Sequence, residues 1–492
     1  RDIMHQDHTV VSVIGDGSLT GGMAYEALNN AARMKSNFII VLNDNNMSIS
    51  ENVGGVSKYL NNIRTADKYL DLKEGIYNSL KETRIGDPIV ESIRRAKSSV
   101  KQLVIPGMFF EDMGITYLGP VDGHNIPAML KVFKEAKRVK SAVLVHVITH
   151  KGKGFIPAER HPARFHGAEP FDIETGLPLK QKTKSNYTDV FSTVMCKQGD
   201  RNDKIVAITA AMPDGTGLKR FHNMYPDRFF DVGIAEEHAV TFAAGLAAGG
   251  LQPVVAIYSS FLHRAYDQIL HDVCIQNLPV VFAIDRAGLV GSDGETHQGI
   301  FDLSYLSSIP NMHIMAPKNK WELSDMLKFA IDFQGPIALR YPRGEAFDGL
   351  REHREPIILG MGEWIYHEKD IVLVAVGSMV KTALAVREAL QLKGYACSII
   401  NARFVKPIDT EILNEAVKDH SLIVTMEENV ASGGFGEKVR EYLDESGYQG
   451  SLLTISIPDE YVEHGNVEIL REEVGIDAYS IQRRIEEVLC GQ

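Results

Sequence analysis

Two short segments carry the first chemistry. Gly15-Asp16-Gly17 follows the apolar run Val10-Val11-Ser12-Val13-Ile14, and Asn43-Asp44-Asn45 follows Phe38-Ile39-Ile40-Val41-Leu42. Residues 18–35 between them read as a helix opened by glycine. An Asp and an Asn are therefore expected at the carboxyl ends of successive parallel strands, where open α/β sheets bind ligands. Both side chains are hard oxygen donors. They suit Mg²⁺, which takes octahedral oxygen ligands and keeps water or phosphate in its shell. Gly15 and Gly17 leave space for the backbone to approach a diphosphate. Two other readings fit the same residues: a dinucleotide-binding turn at Gly15-x-Gly17-x-x-x-Gly21, or a structural turn. The dinucleotide turn wants an acidic residue about 20 positions on. Asp44 comes later and is flanked by Asn43 and Asn45.

Further candidates lie where other apolar runs end. Glu236 and Glu237 open the stretch Glu236-Glu237-His238-Ala239-Val240. A glutamate at a helix start is commonly a cap or dipole partner. Tyr258, Phe261 and Arg264 lie in Ile257-Tyr258-Ser259-Ser260-Phe261-Leu262-His263-Arg264, which runs from a strand into a helix. Core packing is the common fate of such a Phe. Arg286 ends the next run and leads into the glycine-rich loop Gly291-Ser292-Asp293-Gly294-Glu295-Thr296-His297. Arg340 and Arg343, in Arg340-Tyr341-Pro342-Arg343-Gly344, add guanidiniums suited to phosphate or carboxylate. Lys151 ends another strand, where it can meet a diphosphate, and His166 can shuttle protons. Both also suit solvated surface. Asp122-Gly123-His124 reads as a structural helix N-terminus.

These residues need a scaffold of strand ends. Apolar β-runs alternate with helical patterns throughout, which predicts parallel sheets with crossover helices. The runs fall into three groups: 10–14, 38–42 and 142–148; then 205–208, 254–257, 280–284 and 337–339; then 371–376, 397–400, 422–424 and 452–455. The expected fold class is α/β with three consecutive domains, at 1–182, 183–345 and 346–492. Residues 57–106 read as a charged, helical insertion of the kind that forms lids. Residues 157–186 read as a polar linker, and 344–356 separate the second and third groups. Residues 239–262 carry no charge and are long enough for a membrane span. Gly249-Gly250 and Gln252-Pro253 break that stretch, so it predicts a buried helix followed by a buried strand.

Bulk properties narrow the partners. The net charge of −12, with no long basic run, argues against nucleic acid and anionic membrane. Any phosphate site must be a local basic pocket. The cysteines 196, 274, 397 and 490 are scattered without a CxxC, as in a reducing compartment. No signal peptide is read here, and because Arg1-Asp2 open almost directly before a core strand the expectation is that the true start, with any targeting information, is missing.

The strings GDGSLTGGMAYEALN, LNDNNMSISENVG, GPVDGHN, THKGKGF, DVGIAEEHAVTFAAGLA, YSSFLHRAYDQ, DRAGLVGSDGETHQG, RYPRG and EENVASGGFG run from near the first residue into the third group. On them the chain resembles the 1-deoxy-D-xylulose-5-phosphate synthase family of transketolase-like thiamine diphosphate (ThDP) enzymes. The resemblance implies two ThDP-binding domains and a transketolase-type C-terminal domain. It implies decarboxylation of pyruvate on ThDP and ligation of the two-carbon fragment to D-glyceraldehyde 3-phosphate, feeding isoprenoid, thiamine and pyridoxal precursors. It assigns Mg²⁺ to Asp16, Asn45 and the Met47 carbonyl, and the diphosphate to Gly15, Gly17, Ser18 and Lys151. Glu236 would bond the pyrimidine ring, with Glu237 as the alternative, and Phe261 would stack on that ring. Tyr258, Arg264, Arg286 and Arg343 would face substrate. Asp293 and His297 would contact the acceptor and assist proton transfer, and His166 would shuttle protons.

The resemblance also implies a homodimer in the cytoplasm, or in the plastid stroma of a plant. The family carries a segment before its GDG strand, whereas Arg1-Asp2 lie close to that strand here. The expectation is a first domain without its N-terminal part, binding ThDP weakly or serving as an inactive scaffold. Glu237 stands where the family commonly has Gln. Other readings are a transketolase, moving two-carbon units without CO₂ release, and a 2-oxoacid dehydrogenase component, needing a lipoyl carrier.

Overall fold

The computed structural model describes residues 1–48, 51–65, 108–179 and 183–491. They form two compact units: Arg1–Gln181 with Val232–Ala235, and Lys182–Asp231 with Glu236–Gln492. Of the expected insertion, residues 66–106 lie outside the described residues. Its opening belongs to the helix Gly54–Thr65.

The first unit is built on β1 (Val11–Gly15), β2 (Phe38–Asp44), β3 (Thr116–Asp122) and β4 (Ala142–Ile148). They form a parallel sheet in the order β1-β2-β4-β3. Gly15 pairs with Asn43 in the β1–β2 register, so both short motifs leave the sheet at one edge, side by side. Strands β2 and β4 are interior and packed on both faces. Leu42 and Leu144 join Leu28, Leu60 and Phe110 on one side. Ile39, Val143 and Val145 join Ala136 on the other. Such burial explains their unbroken apolar runs. Strand β3 was not among the expected strands, because Gly119-Pro120 interrupts its pattern; the register also shifts between Leu118 and Val121. Asp122 ends β3, and the helix Ile126–Ala136 that follows is capped by Asn125, whose side chain accepts from the Ala128 N–H.

The second unit holds β5 (Ile205–Thr209), β6 (Phe229–Asp231), β7 (Gln252–Tyr258), β8 (Val281–Asp285), β9 (His313–Met315) and β10 (Ile337–Arg340). It continues with β11 (Glu363–Tyr366), β12 (Asp370–Ala375), β13 (Cys397–Asn401), β14 (Phe404–Lys406), β15 (His420–Val430) and β16 (Ser451–Ile457). One sheet runs β14-β9-β10-β8-β7-β5-β6 and the other β11-β13-β12-β15-β16. Both are parallel apart from the edge strands β14 and β11. Every apolar run of the second and third groups is a strand. The strands without such a run (β6, β9, β11, β14) are only three or four residues long, too short for periodicity to register.

Strand β14 comes from the third group yet pairs with β9 of the second. A buried charge cluster ties the same groups together. Lys318 donates to Glu322 at 2.9 Å and Glu363 at 2.6 Å, and Arg403 reaches the same carboxylates at 2.8 and 3.1 Å. All four side chains are almost fully buried. Charges there hold only as matched pairs, since an unpaired buried ion costs several kcal/mol.

Residues 239–262 fold as expected, as the helix Glu236–Ala248 followed by β7. Among the described residues no helix is long and apolar enough to cross a membrane. The four cysteines are all free, with Cys196, Cys274 and Cys397 buried.

Candidate active site

In the first unit the motif residues cluster around two carboxylates. Asp16 is 4% exposed, at the end of β1. Its Oδ2 accepts from Asn52 Nδ2 at 2.8 Å. Its Oδ1 is buried and accepts no hydrogen bond among the described residues. Burial, reinforced by nearby Asp44, pushes the Asp16 carboxyl up to about 6. Asp44 is fully buried. Burial works to raise it, but hydrogen bonds to His146 and Asp16, with the charge of Arg64, hold it below the usual range. His146 Nε2 lies 2.9 Å from Asp44 Oδ2, Tyr117 Oη 2.6 Å from His146 Nδ1, and Arg64 donates to Asp44 Oδ1 at 3.0 Å. Asp44 is thus occupied by structural partners, while Asp16 keeps an oxygen without one.

The neighbouring loop closes on itself. Asn45 Oδ1 accepts from the Met47 N–H at 3.0 Å, closing a tight turn through Asn46 at φ +63°. A Cβ on Gly17 would meet the side chains of Asn52 and Ser48 at 3.0 Å, a contact too tight unless both give way slightly. Gly15 is not crowded in this way: a Cβ there would meet only Ser18 Oγ, at 4.0 Å. Ser18 is exposed, on the short helical turn Gly17–Thr20. Thr20 Oγ1 donates to the Gly17 carbonyl at 2.6 Å and accepts from the Ile234 N–H at 2.8 Å. Lys151 donates to the Ser48 carbonyl at 2.7 Å and lies 2.9 Å from His166 Nδ1. Burial lowers its ammonium, with Asp16 opposing. An orphaned carboxylate oxygen, an amide oxygen and a lysine beside a glycine turn fit a divalent cation carrying an anionic diphosphate.

The second unit assembles the remaining candidates in two groups. Glu236 is 2% exposed in the first turn of the helix Glu236–Ala248. Burial raises its carboxyl, with the Arg264 charge working against that. Arg264 donates to Glu236, and to Glu237 at 3.4 Å. The arginine read from sequence as a substrate contact is therefore engaged by both glutamates.

The other group starts at Tyr258, on the last residue of β7. The Arg286 guanidinium lies 3.7 Å from its ring centroid. Phe261 packs against Tyr258 with centroids 5.4 Å apart, and His297 packs edge-on to Phe261 at 5.2 Å. Arg343 donates to Asp293 Oδ2 at 2.6 Å. Burial pushes the Tyr258 phenol up to about 12, so it stays a neutral donor at neutral pH. Arg286 adopts φ +62° and donates to the Gly215 carbonyl at 2.8 Å and to buried Asp285 at 3.0 Å. Thr188 donates to the other Asp285 oxygen at 2.8 Å.

Arg340 is a correction to the sequence reading. Its guanidinium is buried, donating to Asp302 at 2.7 and 3.1 Å, and so is not available to a ligand. Its apolar surroundings allow a charge only with a matched carboxylate. Arg343, three residues on, keeps its role as a candidate because its side chain is 32% exposed.

Sequence reasoning missed Gly215. A Cβ there would sit 1.7 Å from the Tyr258 hydroxyl. The strand-end rule applied to β5 would have pointed to this loop, Ala211-Met212-Pro213-Asp214-Gly215. Asn52 and Arg64 carried no sequence signal, since only folding brings them to the carboxylates. Gly215→Ala should displace the Tyr258 ring and, with it, Arg286. The expected loss is about 1–3 kcal/mol of stability, as in other overpacked sites, together with reduced turnover. Urea unfolding and steady-state kinetics measure both; a variant unchanged in each would refute the contact.

Comparison with known proteins adds independent findings. The family profile described as 1-deoxy-D-xylulose-5-phosphate synthase matches residues 1–149. The transketolase pyrimidine-binding domain matches 183–347, and the transketolase C-terminal domain 360–481. The chain is similar to the 1-deoxy-D-xylulose-5-phosphate synthase of Lachnoclostridium phytofermentans, 58% identical over 99% of this chain and 78% of that one. The enzyme of the same name from Clostridium acetobutylicum is 51% identical over 99% of this chain and 78% of its own. Among solved structures, a split-gene transketolase described as an inactive beta4 tetramer aligns with TM-score 0.55 and 29% identity, covering 62% of this chain and 99% of that chain. The transketolase from Campylobacter jejuni aligns with TM-score 0.53 and 17% identity over 98% of this chain and 77% of that chain, a likeness of fold.

Proposed function

The chain belongs to the 1-deoxy-D-xylulose-5-phosphate synthase family, and from that premise we propose that it condenses pyruvate with D-glyceraldehyde 3-phosphate, releasing CO₂ and giving 1-deoxy-D-xylulose 5-phosphate for isoprenoid biosynthesis. It is a transketolase-like transferase. The observation that carries this reading is the 58% identity over 99% of the chain.

ThDP, when bound, supplies the electron sink that decarboxylation of a 2-oxo acid needs. The residues of this chain do the rest. Asp16, Asn45 and the Met47 carbonyl hold Mg²⁺. Gly15, Gly17, Ser18 and Lys151 receive the diphosphate, and Phe261 packs on the pyrimidine. Glu236 holds a proton toward the pyrimidine nitrogen, a role suited to a carboxyl whose proton affinity burial has raised. Arg264 keeps that carboxyl oriented. Arg286 and Arg343 bind anionic groups of the substrates, and Tyr258 donates beside them. Asp293 and His297 engage the acceptor's polar groups and move its protons. His166, 2.9 Å from Lys151, is placed to exchange protons near the diphosphate. We also propose Mg²⁺ as the physiological metal, a homodimer as the working form, and a cytoplasmic location.

The test is CO₂ release from pyruvate with ThDP and Mg²⁺, with and without D-glyceraldehyde 3-phosphate, and mass identification of the sugar product. The expected result is one CO₂ per 1-deoxy-D-xylulose 5-phosphate formed. Two-carbon transfer between sugars without CO₂ would make the protein a transketolase instead. Neither activity, with no change in melting temperature on adding ThDP and Mg²⁺, would leave a scaffold.

A further inference from the structure

The loop that carries Arg286, Asp293 and His297 leaves β8 of the seven-stranded sheet, and it is anchored to the other sheet as well. Leu289 and Ile300, near its two ends, are core residues of the other sheet, packed with Val430, Leu470 and their neighbours. The Val430 N–H donates to the Ile300 carbonyl at 2.9 Å. Gln298 donates to the Glu463 carbonyl at 3.0 Å while accepting from the Val290 N–H at 2.7 Å. Buried Arg340 donates to the Gly299 carbonyl at the loop's far end at 3.4 Å, and a buried carboxylate, Glu428 on β15, lies against its start.

Glu428 is 1% exposed. Its Oε1 accepts from the Leu289 N–H at 3.3 Å, and its Oε2 from Ser378 Oγ at 2.9 Å. Arg471 closes the cluster, donating to the carboxylate at 3.2–3.3 Å. Gly288 lies directly against the same carboxyl, at φ +82°; a Cβ there would stand 2.7 Å from it. The loop backbone therefore rests on the carboxylate with no side chain between them. The far end of the loop is different in kind: Ser292, Asp293, Glu295 and Thr296 are exposed, and Asp293 is oriented by Arg343.

We propose that Glu428, fixed by Arg471 and Ser378, is a positioning residue for the acceptor substrate, setting the loop from which Arg286, Asp293 and His297 project. Glu428 touches no substrate. It acts by giving the Leu289 N–H an acceptor at one fixed point, so that the C-terminal region governs a site whose residues lie in the middle of the chain. A buried carboxylate is a costly way to hold a loop in place if apolar packing would suffice, and its geometry is directional where packing is not. The inference rests on the function proposed above, in which this loop meets the acceptor.

The test is two-substrate steady-state kinetics of Glu428→Ala, Glu428→Gln and Arg471→Lys, with Asp293→Ala as reference. Glu428→Gln keeps an amide oxygen for the Leu289 N–H, so it should recover most of what Glu428→Ala loses. Expected for Glu428→Ala is a KM for D-glyceraldehyde 3-phosphate raised about tenfold or more, with the KM for pyruvate within about twofold. Arg471→Lys keeps the charge but loses the fork, and should fall between. A merely structural role would lower folded fraction, and so apparent kcat, without separating the two KM values. Equal changes in both KM values, or none in folded Glu428→Ala and Arg471→Lys variants, would overturn the proposal. If Asp293→Ala itself leaves the aldehyde KM unchanged, the reading of the loop as acceptor-binding fails first.

Discussion

Glu236→Gln is expected to lower kcat by about 10²–10⁴-fold, the range seen when a positioned proton-transfer group is removed, while the chain still binds ThDP and Mg²⁺. The substitution keeps side-chain volume and one carbonyl oxygen, so packing of the buried first turn survives. What is lost is the ability to hold and release a proton at one atom. Arg264 retains Glu237 as an anionic neighbour at 3.4 Å, which limits damage to the fold. Glu237→Gln is the matched control: Glu237 is only half-buried and is engaged less closely, so its rate should stay within a few-fold. Single-turnover CO₂ release, with circular dichroism as a check on folding, measures both. A Glu236→Gln enzyme within tenfold of the unmodified rate would remove Glu236 from the mechanism, and a larger loss in Glu237→Gln would transfer the role to its neighbour.

Asp16→Ala is expected to abolish Mg²⁺-dependent ThDP binding, read by calorimetric titration. The orphaned Oδ1 is the buried oxygen without a partner in this cluster, and its loss takes away the charged ligand of the proposed metal. Without metal, the same residue should behave in the opposite sense. Its folded pKa of about 6 lies above the ordinary 3.8. The fold therefore favours the protonated form; that contribution is complete below pH 3.8 and is lost as pH rises through 6. Above that, the buried carboxylate weakens the metal-free protein by about 3 kcal/mol, in part through its repulsion with Asp44. Asp16→Asn, which keeps the bond from Asn52, should raise the metal-free melting temperature at pH 8 and leave it unchanged near pH 3.5. Saturable ThDP binding in Asp16→Ala, or a fall in the pH 8 melting temperature of Asp16→Asn, would contradict the site as described.

The two predictions share a cause. Both carboxylates are placed where solvent cannot stabilise them, on the first turn after a strand or helix boundary, and burial raises the proton affinity of each. Buried groups of this kind lower stability and are retained where chemistry needs them.

Much of this was readable along the chain. Strands β2, β4, β7, β8, β12 and β15 are packed on both faces, so their apolar runs are continuous and self-announcing. The GDG and NDN segments are legible because sheet geometry puts every parallel strand's carboxyl end on one edge, and the residues after such runs must lie there. The uncharged stretch 239–262 resolves into helix and strand because its glycines and proline interrupt it. The three-residue strands were invisible, since a ladder of that length is stabilised by its neighbours and not by its own composition. The same limit hid β14, an edge strand that the chain beyond residue 345 supplies to the preceding sheet.

Residue types and local order by themselves determined the fold class, the strand ends and the identity of most candidate groups, because hydrophobic periodicity and short motifs are local properties. Only the tertiary structure decided the burial and the partners of each charge. Arg340 and Arg343 stand three positions apart in one motif, yet the first is locked to Asp302 and the second is partly exposed. Asp16 and Asp44 follow adjacent strands, yet one keeps an unpartnered oxygen and the other is bound by His146 and Arg64. Gly215, Asn52 and Glu428 enter only through contacts made across tens or hundreds of residues. Partnering and burial fix the electrostatics of a site, and both are set by neighbours in space that the order of the chain does not specify.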